Sequence, residues 1–132
     1  MMTRLLLAAL LVPALAHAAV LDLNAQAQGT LATAQAATGP SANEASFGFS
    51  GQRGAAVCQL ANTAGSATVV LEFTCLASGG AGTGWVTVPN SSTALTVGGA
   101  ALDVIAPGCR YRTNVTACSG CSVTTTAVSI GR

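Results

Sequence analysis

Residues 67–76 read ATVVLEFTCL, and this stretch decides the expected fold. Val69, Leu71 and Phe73 occupy every second position, whereas Glu72 belongs to the opposite set. Successive side chains of a β-strand point to opposite faces. A period of two with many β-branched residues therefore predicts a strand that buries one face.

Short stretches of the same kind, separated by turn residues, lie on both sides of this strand. Residues 55–62, AAVCQLAN, precede it across the turn TAGS, and we expect the two stretches to form a hairpin. The later stretches are WVTV at 85–88, STALTVGG at 92–99, AALDVIAPG at 100–108, CRYRTNVTA at 109–117 and CSVTTTAVSI at 121–130. The sequence therefore predicts an all-β fold: an antiparallel β-sandwich, jelly-roll or immunoglobulin-like, of about 6–8 short strands.

The first residues have the pattern of a secretory signal peptide. In residues 1–18, a positive charge precedes a short apolar run that ends in the small-x-small pattern AHA. We predict a signal peptide at 1–18, a low-complexity N-terminal arm or linker at 19–54, and a β-sandwich domain at 55–132. These segments predict a secreted or periplasmic protein that is not inserted in a membrane after cleavage, because the apolar run is too short to span a bilayer.

Charged residues are scarce and restrict the possible chemistry. The five basic residues are all arginines, four residues are acidic, and the single histidine, His17, lies in the predicted signal peptide. Without Arg4 of the predicted signal peptide, four arginines balance four acidic residues. A neutral chain without lysine lacks the basic surface that nucleic acids require. Without histidine or lysine, catalytic triads, histidine-ligated zinc and Schiff-base chemistry are also excluded. We expect no enzyme activity, no cofactor, no metal and no nucleic-acid partner.

Five cysteines lie beyond the signal peptide: Cys58, Cys75, Cys109, Cys118 and Cys121. Disulfides are the default in an exported chain, and an odd number leaves at least one cysteine without a partner in the chain. We expect Cys58 to pair with Cys75, because the two lie on consecutive predicted strands, and Cys118 to pair with Cys121. Cys109 is then the odd cysteine. The alternative scheme pairs Cys109 with Cys118 or Cys121.

The stretch CSGC at 118–121 has two interpretations. A thioredoxin-type redox pair requires a helix that begins at the motif, because the helix dipole lowers the thiol pKa. Here both flanking stretches have strand patterns, and Ser-Gly is suited to a two-residue hairpin turn. We therefore expect a structural bridge across a hairpin, with a thiol oxidoreductase as the alternative.

Four residues are candidates for binding a partner. Arg110 and Arg112 share one face of a predicted strand, where they either bind a carboxylate or sulfate group of a glycan or face solvent. Trp85 and Tyr111 are the only tryptophan and tyrosine. They either stack on a sugar ring at the surface or fill the core.

Residues 106–130, APGCRYRTNVTACSGCSVTTTAVSI, resemble the last hairpin of small β-sandwich modules in bacteriophage and prophage virion proteins, which are tail or coat components. That hairpin has a strand of alternating Arg and apolar residues, a Ser-Gly turn and a strand rich in Thr and Val. ATVVLEFTC at 67–75 and WVTVP at 85–89 are similar to the module's first long hairpin and its central aromatic strand. The resemblance implies a virion-associated structural protein.

Taken together, these patterns predict a non-enzymatic exported module that acts in structure, assembly or surface binding. Its expected partners are a protein surface, a glycan surface or further copies of the chain. One alternative is a secreted enzyme, either a hydrolase that uses Glu72 and Asp103 as a carboxylate pair or an oxidoreductase that uses Cys118 and Cys121. Another alternative is a periplasmic inhibitor or protective protein.

Overall fold

The computed structural model describes residues 19–23, 28–46, 55–75, 77–78, 81–82, 84–104 and 109–130, and the predicted signal peptide lies outside them. Within these ranges the chain forms thirteen β-strands and no helix. The strands are β1 (Val20–Asp22), β2 (Gln28–Gln35), β3 (Gly39–Pro40), β4 (Glu44–Ser46), β5 (Ala55–Asn62), β6 (Ser66–Thr74), β7 (Ala77–Ser78), β8 (Ala81–Gly82), β9 (Val86–Thr87), β10 (Thr93–Leu95), β11 (Gly98–Val104), β12 (Arg110–Ser119) and β13 (Val123–Ile130). The all-β prediction is confirmed.

Two sheets form a β-sandwich, as expected from the sequence. Sheet A has the strand order β1-β4-β12-β6-β10, with β3 also paired to β12 and β9 also paired to β6. Sheet B has the order β11-β5-β13-β2, and β7 and β8 form a separate short pair. The strand pairs are antiparallel except for β1 with β4.

The core lies between the sheets and is built from alternate residues of their central strands. Val69 and Leu71 of β6 are fully buried, as are Leu60 of β5 and Val123 of β13. The predicted alternation of β12 is also present: Tyr111, Thr113 and Val115 are buried, and Arg110, Arg112 and Asn114 on the other face are partly exposed. Between the sheets, the hydroxyl groups of Thr113 and Thr125 form a buried hydrogen bond of 3.3 Å.

Both expected hairpins are wrong, because their strands belong to different sheets. β5 lies in sheet B and β6 in sheet A, while β12 lies in sheet A and β13 in sheet B. The antiparallel partner of β6 is β12, and the partner of β5 is β13. A period of two in the sequence shows that one face of a strand is buried. The same period is found whether the chain turns back within a sheet or crosses to the opposite sheet, so it does not predict a hairpin.

The segment 19–54, expected to be an arm or linker, contributes strands to both sheets over its described part. β2 pairs with β13 in sheet B, and β4 pairs with β12 in sheet A. From Gln28 to Gln35, β2 advances seven residues, whereas β13 advances five between the paired positions Val128 and Val123. The two extra residues of β2 are bulges. These bulges interrupt the alternation in sequence, which explains why no strand was predicted there.

Candidate functional site

Three connections between the sheets meet at one end of the sandwich, and the Asn62 side chain joins them. They run from β5 to β6, from β10 to β11 and from β12 to β13. Asn62 Nδ2 donates hydrogen bonds to the carbonyl oxygens of Gly65 at 3.3 Å and Thr96 at 3.0 Å. Its Oδ1 accepts a hydrogen bond from the backbone N–H of Ser122 at 3.0 Å. One buried amide therefore links all three connections.

Gly65 brings two of these connections into direct backbone contact. Its φ is +54°, in the left-handed region that glycine favours. A Cβ at this position would overlap the carbonyl oxygen of Ser119 and approach the carbonyl carbon of Gly120 to 2.6 Å. Gly120 also has a positive φ, +59°, but a Cβ there would meet no atom within 4 Å. Gly65 is therefore required for the close approach, whereas Gly120 is required only for its φ.

The CSGC stretch lies at this end of the sandwich, where the chain crosses from β12 to β13. Cys118 and Cys121 form a disulfide, as expected, with their Cα atoms 5.3 Å apart. The bridge does not close a hairpin, because β12 and β13 are in different sheets. It instead closes the crossing between the two sheets.

The second disulfide joins Cys75 to Cys109, so the expected pairing of Cys58 with Cys75 is wrong and Cys109 is not the odd cysteine. Arg110 of β12 is opposite Thr74 of β6. In an antiparallel pair the next residues outward are Cys109 and Cys75, and the disulfide therefore closes the end of the β6–β12 ladder. The expectation failed because it took the strand next in sequence for the strand next in space.

Cys58 is the free cysteine among the described residues. It is fully buried on β5, where Leu102 and Ala127 occupy the paired positions of the neighbouring strands. Burial raises the pKa of the Cys58 thiol from 9.0 to about 12, because the thiolate would lose its hydration. The thiol is therefore neutral and shielded, which is typical of a structural cysteine.

The outer face of sheet A carries a compact group of polar side chains around Arg112. Its Nε donates to Glu72 Oε2 at 2.6 Å, and Asn114 Nδ2 donates to Glu72 Oε1 at 2.8 Å. The half-buried Trp85 covers the guanidinium group, with Arg112 Cζ 4.2 Å from the ring centroid. This geometry combines an ion pair with a cation–π contact. Both oxygens of the buried Glu72 carboxylate are therefore engaged.

Arg110 also has a carboxylate neighbour, since its Nη1 lies 3.5 Å from Oε2 of the buried Glu44. Both arginines that were candidates for binding an anionic glycan are thus next to a glutamate of the same sheet. Tyr111 is only 1% exposed, so of its two alternatives, a sugar-stacking residue at the surface or a core residue, the structure shows the core residue. Its position follows from the alternation of β12, which points it away from the two arginines.

The carboxylate pair proposed for a hydrolase is not present. Glu72 lies on β6 of sheet A, outside the sandwich core and against Arg112. Asp103 lies exposed on β11, at the edge of sheet B. Since the two residues are on the outer surfaces of opposite sheets, they cannot act on one substrate bond.

A shallow groove of about 410 Å³ crosses sheet A near the Cys118–Cys121 bridge. Its walls are formed by residues 66–68, 94–96 and 117–119, none of which is charged. The side chains are mostly small, and none of these described lining residues has a charged group that would attract an ionic ligand.

The outer surface of sheet B has a different character from that of sheet A. Strands β2, β5, β11 and β13 contain a single charged residue, Asp103. Across the sheet, Ala101 is paired with Gln59, and Gln59 with Thr126; Gly99 is paired with Ala61, and Ala61 with Thr124. These rows present small, uncharged side chains that are at least partly exposed. Sheet B is therefore the charge-poor face of the sandwich.

The two edges of sheet B also differ. β2 contains two bulges and a residue with positive φ, Ala34 at +48°. β11 pairs with β5 over seven consecutive positions without a register shift, and only its first residue, Gly98, has a positive φ, +150°. Bulges, charged side chains (lysines above all) and prolines are the usual means of preventing an edge strand from pairing with another chain. Among the described residues, β11 carries one charge, Asp103, and no bulge, lysine or proline.

The described ranges contain no group of three or more His, Cys, Asp or Glu residues that would hold a metal ion. Within the same ranges no helix has the length and apolar character needed to cross a membrane. The two disulfides indicate an oxidising environment, either extracellular or periplasmic.

Compared with models of protein families, with curated proteins and with solved structures, the chain showed no match. The resemblance of residues 106–130 to virion modules therefore stays a prediction from the sequence pattern of those residues.

Neither Asn62 nor β11 was predicted from the sequence to be important. Asn62 follows an apolar stretch and precedes a turn, where asparagine is common on solvent-exposed loops. Only its burial against three connections distinguishes it. The sequence of β11 has a regular pattern of apolar and small residues without lysine or proline. This pattern does not show whether the strand lies at the edge of a sheet, because an edge position depends on the other strands.

Proposed function

We propose that this protein is a non-enzymatic, exported structural module that assembles through sheet B. The observation that carries this proposal is the charge distribution: sheet B has one charged residue in its four strands, and that residue lies on the edge strand β11. Charge-poor surfaces favour association, because bringing them together removes few ions from water.

The residues considered for catalysis or redox chemistry are held in contacts within the protein or are buried in its core, which supports the same proposal. Glu72 is held by Arg112 and Asn114, and Cys118 is bonded to Cys121. Cys58 is buried with its pKa raised to about 12, which suppresses the reactive thiolate. In these contacts the residues stabilise the sandwich. The exposed surface of sheet B remains for binding, and assembly is the role that would use it.

The proposed location is outside the reducing compartment, and the proposed context is a virion or virion-derived assembly. The predicted signal peptide and the two disulfides support export. The Arg-alternating strand, Ser-Gly turn and Thr/Val-rich strand of residues 109–130 support the virion context, since they resemble modules of phage and prophage particles.

Secretion and assembly can be tested together by expressing residues 1–132 in a bacterial host and recovering the protein from periplasm and medium. Intact mass should show cleavage after Ala18 and two disulfides. Sedimentation velocity between about 1 and about 100 µM should show mass increasing with concentration, which identifies reversible association. The matched control replaces Cys118 and Cys121 by Ala, which should not alter the association.

A different result would contradict the proposal. A protein that remains monomeric over the whole range, yet catalytically reduces a disulfide substrate only when Cys118 and Cys121 are present, would be an oxidoreductase. A monomer without such activity would also exclude assembly through sheet B.

A further inference from the structure

The contact that sheet B would make can be defined more closely, on the basis of the proposed assembly role. We propose that β11 pairs antiparallel with β11 of a second copy of this chain, about a twofold axis at Ala101. The two sheets B would then form one continuous sheet, with β11 of each copy at its centre. This is strand addition at a sheet edge, in which main-chain hydrogen bonds supply most of the contact.

β11 is suited to this pairing because its inner side is regular and, in the part of the chain that the structure describes, its outer side has no strand partner. All seven residues from Gly98 to Val104 pair with β5. Within the described residues no strand lies beyond β11 in sheet B. A regular unpaired edge of this length presents a row of N–H and C=O groups to any matching strand. Val97, directly before β11, is 67% exposed, so an uncovered apolar side chain adjoins the edge.

The sequence of β11 is compatible with itself in the antiparallel direction. Ala101 is the midpoint of Gly98–Val104, so a twofold axis there pairs the strand over its full length. Ala101 would then be opposite its own copy, and Ala100 opposite Leu102, which faces the core. These side chains are small or already point inward. Two strands can therefore approach to the spacing of about 4.8 Å found in sheets.

The single charge of sheet B does not oppose this register. Asp103 would be opposite Gly99 of the second copy, where no side chain competes for space. The two Asp103 residues would be offset by four positions along the strand, or about 13 Å at ~3.3 Å per residue. This distance exceeds the Debye length of about 8 Å at physiological ionic strength, so their repulsion is largely screened.

The opposite edge of sheet B explains why the pairing would stop at two copies. A twofold axis leaves β2 at both ends of the combined sheet. β2 carries two bulges, and bulged edges pair poorly with a further strand. The expected product through sheet B is therefore a closed dimer with an isologous interface.

Oppositely charged substitutions at Ala101 test the register. Ala101 is exposed, so Ala101→Lys and Ala101→Glu should each fold normally, which far-UV circular dichroism and thermal unfolding would verify. In each variant alone, like charges would meet at the twofold axis and weaken dimerisation about tenfold or more in sedimentation velocity. An equimolar mixture of the two variants should restore a dimer, since opposite charges would then meet.

Gln59→Lys is the matched control, because Gln59 is also exposed and is paired directly with Ala101 on the inner strand β5. It adds the same charge to the same face but not at the edge, and it should leave dimerisation within about twofold of wild type. If the wild-type chain associates but Ala101→Lys associates equally well, the β11 contact is wrong while assembly itself remains. If the wild-type chain does not associate at all, both the contact and the proposed assembly role are wrong.

Discussion

The Asn62 side chain accepts a hydrogen bond from the backbone N–H of Ser122 at 3.0 Å, although the two residues are 60 positions apart. A reciprocal backbone contact lies beside it, since the N–H of Thr63 donates to the Ser122 carbonyl oxygen at 3.0 Å. These bonds join the end of β5 to the start of β13, directly after the Cys118–Cys121 bridge. The end of the sandwich at which the chain changes sheets is therefore fastened by one side chain and one disulfide.

Asn62→Ala should lower the free energy of unfolding by about 2–4 kcal/mol, measured by chemical denaturation. The substitution leaves the Ser122 N–H and the carbonyl oxygens of Gly65 and Thr96 without their partner. A fully buried group that loses its partner costs about 1–3 kcal/mol, and these three groups are partly buried, so their joint cost is below the full sum.

Asn43→Ala is the control for this substitution. Asn43 is half-buried and makes one exposed side-chain hydrogen bond, from Nδ2 to the Thr30 carbonyl oxygen at 3.0 Å. We expect this control to lose less than about 1 kcal/mol. Equal losses in the two variants would show that Asn62 does not hold the connections together.

Gly65→Ala should be more destabilising than Gly120→Ala, although both positions have nearly the same positive φ. The backbone strain of alanine in this region costs about 1–2 kcal/mol in either variant. Only at position 65 does the added Cβ also collide with the backbone of residues 119–120, which should add about 1–3 kcal/mol. The difference between the urea midpoints of unfolding of the two variants measures the destabilisation that this collision causes. If the midpoints are equal, the two connections are not in close contact.

The two disulfides should contribute unequally to stability. Cys75 and Cys109 are separated by 34 positions, and Cys118 and Cys121 by 3. By loop-closure entropy, replacing both cysteines of the long loop with Ala should cost about 4 kcal/mol, and of the short loop about 2 kcal/mol. Thermal unfolding of the two double variants gives the comparison. A larger loss of stability on removing the short-loop bridge would mean that this bridge mainly stabilises the folded connection from β12 to β13 and does little to restrict the unfolded chain.

Stability should fall at alkaline pH because of Cys58. Its pKa is 9.0 when exposed and about 12 when buried, so below pH 9 the thiol is protonated in both states and contributes no pH dependence. Between these values the unfolded chain loses the proton and the folded chain keeps it. The free energy of unfolding should therefore decrease by about 1.4 kcal/mol per pH unit.

Cys58→Ala supplies the reference for this effect, because it removes the titrating thiol and leaves the other groups unchanged. When the free energy of unfolding is plotted against pH, the curves of the two proteins should run parallel below pH 9 and diverge above it. Alkylation of native Cys58 at neutral pH should also be as slow as global unfolding, since the thiol is fully buried. Rapid labelling under native conditions would contradict its position in the core.

Much of the fold could be predicted from the alternation within single strands. The buried and outward faces of β12 follow from Tyr111, Thr113 and Val115 against Arg110, Arg112 and Asn114. For the candidate site, the sequence indicated the bridge between Cys118 and Cys121. It did not indicate that Arg112 would be enclosed by Glu72 and Trp85, because those contacts join β12 to residues far away in the chain.

Local sequence thus determined the all-β class, the faces of the regular strands and the scarcity of charge. Tertiary structure decided which strands are neighbours: β6 pairs with β12 rather than with β5, so Cys75 meets Cys109 and Cys58 remains alone in the core. The physical reason is that alternation depends only on the pleat of one strand, and the pleat is the same in a hairpin and in a crossing between sheets. Pairing depends on how the two sheets bury their apolar faces together, which no single stretch of sequence contains.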